Sequence, residues 1–374
     1  MSERVIALSI PVKLTCGSLV ARRSLNRFRG AWSSNDERYI QTSALTGFRS
    51  FAENFGGDAQ EILDRVGILP AALNDPRLSV DLEKYCAVFE EAARNTQHLN
   101  FGLWFGQQFV PDKLGSIGKI AIHSPTLRAG LVNLVKGFSL YQQVTRMRLV
   151  QVGELLRIEY QIIDGRIINR HQDAELTLGI LANIFRHCLG PNWVPEEVHF
   201  EHPRPEASHE HSRAFQAPVY FEQRCNSLVF RDRNLDRSMP QADLASMTRL
   251  QVEMNTLQAN PGTVSFPDCV SALIRSKLIA GPPHIDEIAA ELALTRRTLQ
   301  RRLSEHNLTY SELLENTRRA LSLYYMKQSH LSVSHVSTLL GYSEVSVFSR
   351  ICRDWFGESP QLVRIGLQSR SAWQ

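Results

Sequence analysis

The sequence has no long hydrophobic run. Over its 374 residues, no apolar stretch approaches the roughly 18–20 residues that a helix needs to cross a bilayer. The segment from Val5 to Val12 is too short, contains Pro11 and is followed by basic residues. It also lacks the apolar length and small-residue cleavage site of a signal peptide. We therefore expect no membrane partner and a cytoplasmic location.

Paired cysteines and a strong excess of one charge are missing as well. The six cysteines include no Cys-x-x-Cys pair and are too sparse for a small disulfide-held secreted domain. We expect reduced thiols. The 42 Lys and Arg residues exceed the 38 Asp and Glu residues by four, which is compatible with a polyanionic partner but does not require one. With 43% hydrophobic residues, the chain is not collagen-like, coiled-coil or wholly disordered.

The usual signatures of catalysis are absent. There is no Gly-x-Ser-x-Gly nucleophile elbow. The segment Gly115-Ser-Ile-Gly118 lacks the lysine and hydroxyl residue of a phosphate-binding loop, so we interpret it as a helix-packing glycine pair. His123 and His171 are isolated and predicted to be structural. We expect no enzyme, no catalytic residue and no cofactor.

Four histidines are close together in HFEHPRPEASHEH: His199, His202, His209 and His211. A metal site would need three or four of them to converge on one point. The first two are predicted at a strand end and the others on a loop or short helix. We expect polar surface residues and no metal, with a metal site as the alternative.

The length predicts two domains, possibly three. Residues 1–41 are predicted to be a flexible basic extension, although its arginines could also contact nucleic acid. Residues 42–240 mix helical patterns with short strands and predict an α+β domain with a small antiparallel sheet. Residues 241–265 are predicted to be an interdomain helix and linker, which breaks at Asn260-Pro261-Gly262. Residues 266–374 predict short amphipathic helices only.

Several elements of the α+β domain can be placed from the sequence. Ser79 and Thr126 are predicted to cap amphipathic helices. Alternating apolar residues predict a hairpin that turns at Gly153-Glu154. The remaining predictions are a helix over Glu175 to Leu189 and strands at Val198 to Phe200, Val219 to Phe221 and Leu228 to Phe230.

The interdomain helix carries an apolar stripe of Leu244, Met247, Leu250 and Met254. Such a stripe is expected to be buried. We predict that it packs on the preceding domain or on a second subunit. The alternative is that the stripe folds back on its own core.

The segment IDEIAAELALTRRTLQRRL predicts a helix-turn-helix unit. Its first helix has an apolar stripe, and Thr295 can cap a second helix in which Leu299 and Leu303 face inward. Arginines and a glutamine occupy the other faces of that helix: Arg296, Arg297, Gln300, Arg301 and Arg302. The arginine side chain matches guanine edges and phosphates, so we predict DNA binding. A solvated basic face is the alternative.

A second unit of the same kind begins near Val333 and turns at Gly341. Its second helix is predicted to be capped by Ser343 or Glu344. Its outward positions are Val345, Ser346, Ser349 and Arg350. Between the units, Ser311 to Lys327 is predicted to be a helix of about 26 Å at 1.5 Å per residue. Major-groove faces on one side of B-DNA lie about 34 Å apart. A rigid helix of this length can therefore hold two units in neighbouring grooves.

Residues 266 to 366 resemble the DNA-binding domain of the AraC/XylS family of bacterial transcriptional regulators. The resemblance rests on the first unit, on ENTRRALSLYYM and above all on VSTLLGYSEVSVFSRICRDWFGESP. It implies base contacts by Arg297, Gln300 and Arg301 in the first unit. In the second unit it implies contacts by Val345, Ser346, Ser349 and Arg350.

The sequence departs from that family pattern at four positions. Asn307 stands where glycine is usual, although asparagine tolerates the left-handed region. Cys352 and Asp354 interrupt a run that is usually Phe-Lys/Arg, and Val345 replaces a polar reader. We expect the second unit to contribute less base specificity than the first.

The preceding domain is also similar to a known type. LGSIGKIAIHSPTLRAGL, LGPNWVPEEVHFEHPRP and APVYFEQRCNSLVFRDRNLDRSMP resemble the effector domain of a branch that includes regulators of ornithine utilisation. That domain is sometimes labelled an "arabinose-binding" N-terminal domain. The resemblance implies a transcriptional activator with double-stranded DNA, a small-molecule effector, RNA polymerase and a second copy of the chain as partners. The effector and its binding residues are not assigned.

The alternative function is a DNA-repair alkyltransferase-like enzyme that carries the same kind of DNA-binding domain. Such an enzyme needs a nucleophilic cysteine in a Pro-Cys-His-like context. None of the six cysteines has one, so the regulator is preferred.

Overall fold

The computed structural model describes residues 4–5, 38–76, 78–256 and 265–371. Arg22, Arg23, Arg27 and Arg29 of the 1–41 extension, Cys16 and the Asn260-Pro261-Gly262 break lie outside the described residues. Of the extension, Arg4–Val5 and Tyr39–Gln41 are strands.

The N-terminal half combines helices with a sheet. Its α-helices are α1 (Phe48–Asn54), α2 (Ala59–Val66), α3 (Leu82–Asn95), α4 (Phe101–Gln108), α5 (Gly115–His123), α6 (Leu127–Tyr141), α7 (His171–Leu189), α8 (His209–Phe215) and α9 (Leu244–Thr256). Its strands are β1 (Arg4–Val5), β2 (Tyr39–Gln41), β3 (Ser79–Asp81), β4 (Thr145–Val152), β5 (Leu155–Ile162), β6 (Glu197–His199), β7 (Val219–Tyr220) and β8 (Asn226–Arg231). Short 3₁₀ helices lie at Thr42–Leu45, Pro70–Asn74 and Pro111–Leu114.

The main sheet has the strand order β1-β4-β5-β8-β6-β7. Its pairs are antiparallel apart from β6 and β7, which run parallel. The predicted hairpin is confirmed as β4 and β5, in which Thr145 pairs with Ile162 and Val152 with Leu155. The antiparallel pair of β2 and β3 was not predicted. The α+β class of this half is therefore confirmed.

Helix α7 lies at the centre of the N-terminal core, and most of its residues are buried. Helix α4 packs against it at glycine contacts. A Cβ on Gly106 would lie 2.5 Å from the Leu176 carbonyl oxygen, and one on Gly179 would lie 2.7 Å from the Gly106 carbonyl carbon. No side chain fits there. Gly118 has the same role in α5, where a Cβ would lie 2.0 Å from the Pro111 carbonyl oxygen, so the packing interpretation of this glycine is confirmed.

Of the two predicted helix caps, one is confirmed and one is wrong. Thr126 caps α6, and its hydroxyl accepts from the Ala129 N–H. Ser79 was wrong as a cap, because it belongs to β3 and pairs with Gln41. The cap of α3 is Asp81, whose carboxylate accepts from the Lys84 N–H. Both residues can cap a helix, but the strand continues to Asp81, so the helix begins at Leu82 and Asp81 is in the cap position.

The histidine prediction was wrong for two of the four residues. His211 is fully buried, and its Nε2 lies 2.7 Å from Oε1 of the equally buried Glu175. His202 is 7% exposed, with Nε2 3.5 Å from the same oxygen. Burial would raise the pKa of Glu175, but the adjacent His211 outweighs it and brings that pKa below its ordinary value. The buried carboxylate on α7 is thus held by a side chain of α8. Within the described residues, no group of His, Cys, Asp and Glu is arranged to hold a metal ion.

Helix α9 packs along α5. Met247 is buried there, and Leu250 packs on the edge of the N-terminal core. Leu244 and Val252 are instead 64% and 59% exposed, while the Met254 side chain lies outside the described part. The stripe is therefore divided between a buried and an exposed face.

The C-terminal half is all-helical, as predicted. Its helices are α10 (Phe266–Leu278), α11 (Ile285–Glu291), α12 (Arg296–Ser304), α13 (Tyr310–Lys327), α14 (Val333–Leu339), α15 (Val345–Phe356) and α16 (Pro360–Ser371). They enclose a core separate from that of the N-terminal half. No helix in the described ranges combines the length and hydrophobicity needed to span a membrane.

The two halves contact each other through α10, α13 and α14. Arg275 donates from Nη1 and Nη2 to the carbonyl oxygens of Ile167 and Gly165, at 2.8 Å each. His335 Nε2 lies 2.7 Å from Glu222 Oε1. The backbone stretch from Gly165 to Ile167 and the Glu222 side chain of the N-terminal half therefore contact the C-terminal half.

Candidate nucleic-acid interface

The first helix-turn-helix unit consists of α11 and α12. Ala293 turns the chain with φ = 53°, a conformation that non-glycine residues adopt only at some cost. Thr295 caps α12 as predicted, and its hydroxyl accepts from the Thr298 N–H at 3.2 Å. Leu299 and Leu303 are fully buried, so the opposite face of α12 is fixed outward.

That outward face carries four predicted site residues. Arg296, Arg297, Gln300 and Arg301 are all exposed. Their neighbours hold them only loosely: Arg296 lies 3.8 Å from Asp286, and Arg301 lies 3.9 Å from Glu305. Exposed ion pairs at such distances contribute little free energy. These side chains are therefore available to an external anion.

Arg302 differs from its neighbours. It is half-buried, and its guanidinium lies over the Phe266 ring at 5.5 Å from the centroid. This cation–π contact joins α12 to the start of α10. Arg302 therefore stabilises the unit, although the sequence placed it with the outward arginines.

The second unit consists of α14 and α15. Gly341 makes its turn with φ = 74°. Phe348 and Cys352 are buried beneath α15. Of the predicted positions, Ser346 and Arg350 are exposed, whereas Val345 and Ser349 are half-buried.

An acidic residue lies at the start of this second recognition helix. Glu344 occupies the cap position of α15, but its side chain makes no cap bond. Instead, it accepts a 3.0 Å hydrogen bond from the Ser346 hydroxyl. A carboxylate here repels phosphate and engages a predicted base reader. The second face is thus less basic than the first.

Helix α13 connects the two units and is anchored to both. Its 18 residues span about 27 Å at 1.5 Å per residue. Near its start, the Tyr310 hydroxyl donates to the Pro283 carbonyl at 2.7 Å, just before α11. Further along, Arg318 donates to the Leu340 carbonyl at 2.9 Å and stacks on Tyr342, 4.4 Å from the ring centroid. The helix therefore fixes the spacing and the relative orientation of the units.

Asn307 lies in the turn before α13 with φ = 55°. The sequence departs from the family pattern here by replacing glycine. The left-handed conformation is retained, because the short polar side chain of asparagine tolerates it.

Two of the described cysteines have thiols whose pKa argues against a nucleophilic role. Cys86, Cys188, Cys225 and Cys352 are free. Burial raises the pKa of the Cys225 thiol to about 12 and that of Cys352 to about 11. A protonated thiol is a poor nucleophile, so these two sites give the alkyltransferase alternative no support.

Two family profiles match this chain. The profile described as the arabinose-binding domain of AraC transcription regulator, N-terminal, matches residues 56–239. A helix-turn-helix domain profile matches residues 288–364. Together they include the α+β region and both recognition units.

Curated relatives extend over most of the chain. The HTH-type transcriptional regulator VirS of Mycobacterium tuberculosis is 27% identical over 329 residues, which is 87% of this chain and 96% of that protein. The ornithine utilization regulator of Pseudomonas aeruginosa is 24% identical over 82% of this chain and 90% of its own length. The crystal structure of the regulator CdpR from P. aeruginosa matches 84% of this chain at 19% identity, with a TM-score of 0.38. The chain belongs to the AraC family of DNA-binding transcriptional regulators, with an N-terminal domain of the arabinose-binding type.

Proposed function

We propose that this regulator is a one-component transcriptional activator that reads DNA with α12 and α15 and responds to a small molecule. The observation that carries the proposal is the outward face of α12. Buried Leu299 and Leu303 fix the helix, and Arg297, Gln300 and Arg301 are exposed. Arginine and glutamine pair in bidentate fashion with guanine and adenine edges in the major groove.

The two units read neighbouring grooves of one asymmetric site. The anchoring of α13 at Tyr310 and Arg318 supports this arrangement, since a fixed spacing favours one register on the duplex. In α15, Ser346 and Arg350 are the exposed readers, with Val345 and Ser349 beside them. Because Glu344 is acidic, we assign the larger share of base specificity to α12. On the same helix, we assign Arg296 as a phosphate contact.

The remaining parts of the proposal concern partners and organisation. Residues 42–240 form the effector-binding and dimerisation domain, 266–374 the AraC-type DNA-binding domain and 241–265 the interdomain helix and linker. The chain acts in the cytoplasm as a homodimer through the exposed face of α9, and it recruits RNA polymerase. It has no catalytic step of its own.

The test uses the full-length protein and a random duplex library. After rounds of selection, footprinting on the enriched sequence is expected to show two protected major-groove segments about one helical turn apart on one face. Binding to all duplexes with one affinity would contradict sequence-specific reading. Protection of a single groove would contradict the two-unit arrangement.

A further inference from the structure

A small cavity lies between the two halves of the chain. Its N-terminal wall includes Ile168, Arg170, His171, Glu201 and His202. Its C-terminal wall includes Arg275, Ser276 and Ile279 from α10 and Leu321 and Tyr324 from α13. The cavity therefore contacts the linker helix that carries both recognition units.

The walls of this cavity carry more positive than negative charge. Arg170 Nη2 lies 2.6 Å from Glu201 Oε1, and Arg275 is the second guanidinium in the wall. Burial raises the pKa of Glu201, but Arg170 and Arg275 outweigh it and bring that pKa below its ordinary value. Burial and Arg170 together lower the pKa of Arg275 to about 9. Burial would lower the pKa of His171, but Glu90, which lies outside the wall with Oε1 3.0 Å from His171 Nδ1, outweighs it and raises that pKa to about 9. The walls thus hold three cations for one carboxylate.

His202 adds an acceptor that has no donor. Burial lowers the pKa of His202 to about 4, so the ring is neutral. Its Nδ1 lies 2.9 Å from the Pro203 carbonyl oxygen and must carry the proton, because a carbonyl only accepts. The buried Nε2 has no hydrogen-bond partner among the described residues and lies 3.5 Å from Glu175 Oε1, another acceptor. A buried acceptor without a donor is costly, and a ligand donor would satisfy it.

The cavity has a free volume of about 30 Å³, which is room for about two water molecules. A larger molecule therefore requires α10 and α13 to move away from the N-terminal half. Arg275 must give up its bonds in such a movement, because its guanidinium joins α10 to the N-terminal half by donating to the neutral carbonyls of Gly165 and Ile167. A carboxylate is a stronger acceptor for arginine than a neutral carbonyl.

We propose that this interdomain cavity is the effector site and that it takes a small organic acid, a carboxylate with a nearby hydroxyl or ammonium group. The carboxylate pairs with Arg275, the donor group bonds to His202 Nε2, and the carbon chain lies against Ile279 and Leu321. Occupancy shifts Arg275 away from the Gly165–Ile167 loop and so changes the position of α13. This inference rests on the proposed ligand-responsive function.

The first experiment is thermal denaturation of the full-length protein with four-carbon probes of matched size. 3-Hydroxybutyrate and 3-aminobutyrate carry the carboxylate with either donor, butyrate carries the carboxylate alone, and n-butylamine carries only a cation. We expect at least one of the two substituted acids to raise the Tm more than butyrate, and n-butylamine to leave it unchanged. The better of the two acids identifies the donor. Equal shifts from all four probes, or none from either substituted acid, would overturn the proposal.

Variants locate the site. Arg275→Met and Ser276→Leu are expected to weaken binding of the better acid at least tenfold in calorimetry, the first by removing the cation and the second by filling the cavity. Among the described residues, Ser276 donates within its own helix, to the Leu273 carbonyl, so its replacement tests the cavity without removing a contact between the halves. Lys277→Met is the control, because Lys277 lies on the same helix but pairs with Glu291 at 3.5 Å. Retained affinity in both cavity variants would place the site elsewhere.

Binding of the selected duplex separates this inference from the proposed function. A protein that binds the duplex specifically, but is not stabilised by any of the acids, keeps its DNA-reading function and loses this effector site. A protein that shows no sequence preference contradicts the function itself, whatever the acids do.

Discussion

Neighbouring residues on α12 have different environments and should therefore have different roles. Arg301 is 71% exposed in its side chain, whereas Arg302 stacks on Phe266. We expect Arg301→Ala to weaken binding to the selected duplex by about 1–3 kcal/mol and to relax preference at one base pair. Quantitative binding to specific and random duplexes measures both effects.

Arg302→Ala is the matched control for that experiment. It should lower the thermal stability of the protein while base preference stays the same, because Arg302 contacts Phe266 and not the duplex. If Arg301→Ala weakens specific and random binding equally, Arg301 contacts phosphate only. No change on either duplex would remove it from the interface.

Asp173 is a buried acid whose ionisation should oppose folding. It is 1% exposed and accepts a 2.6 Å hydrogen bond from the Tyr160 hydroxyl. Burial is the main cause that raises its pKa from 3.8 to about 7. Between these two values the folded state binds more protons than the unfolded state, so its contribution to stability falls as the pH rises from about 4 to 7.

Asp173→Asn should remove this dependence. Because asparagine stays neutral and its carbonyl can still accept from Tyr160, we expect the variant to be more stable than the native protein at pH 8 by about 1–3 kcal/mol. The gain should shrink towards pH 4. Urea denaturation across this range measures it. A gain of the same size at both ends would mean that charge is not the cause.

Among the helices, α13 determines the spacing and the relative orientation of both recognition units. Asn316 is exposed in the middle of this helix. Asn316→Pro removes a backbone donor and kinks the helix at a cost of about 3 kcal/mol or more. We expect footprinting to show that one groove loses protection. Asn316→Ala is the control and should protect both grooves. Full protection by a folded proline variant would show that the units need no rigid spacer.

The elements differ in how far the sequence could predict them. The hairpin, α6 and the recognition helices were predicted because their signals are local: alternation, a Thr126 or Thr295 cap, an apolar stripe. Ser79 is not a cap because pairing with β2, some 40 residues earlier in the chain, keeps the segment extended as far as Asp81, so that α3 starts only at Leu82. A single segment does not contain that information.

The same limit applies to the buried histidines and the cavity. His211 is buried because Glu175, 36 residues earlier, requires a partner in the core. Arg275 meets Ile167 across 108 residues. Spacing within one segment cannot predict such pairs, since they depend on how the halves pack. The sequence signal for this region was the group of four histidines in HFEHPRPEASHEH.

At the scale of the whole molecule, α9 offers a surface for a second copy. Val252 is 59% exposed on the face that does not pack on α5. We expect Val252→Asp to shift the protein towards monomer in sedimentation, because a charge would be buried in the contact. Leu99→Asp is the control, since Leu99 is 53% exposed and lies outside α9, in the loop between α3 and α4. An unchanged mass in solution would place the dimer contact elsewhere.

The position of α13 has a consequence for how this protein works as a sensor. One helix both spaces the recognition units and forms a wall of the interdomain cavity. If a ligand in that cavity changes the affinity for operator DNA by some factor, thermodynamic reciprocity requires the operator to change the affinity for the ligand by the same factor. A copy bound at a promoter would then respond to a different concentration of effector than a copy free in solution. The sensitivity of the switch is thus partly encoded in the promoter, and each target gene could have its own threshold.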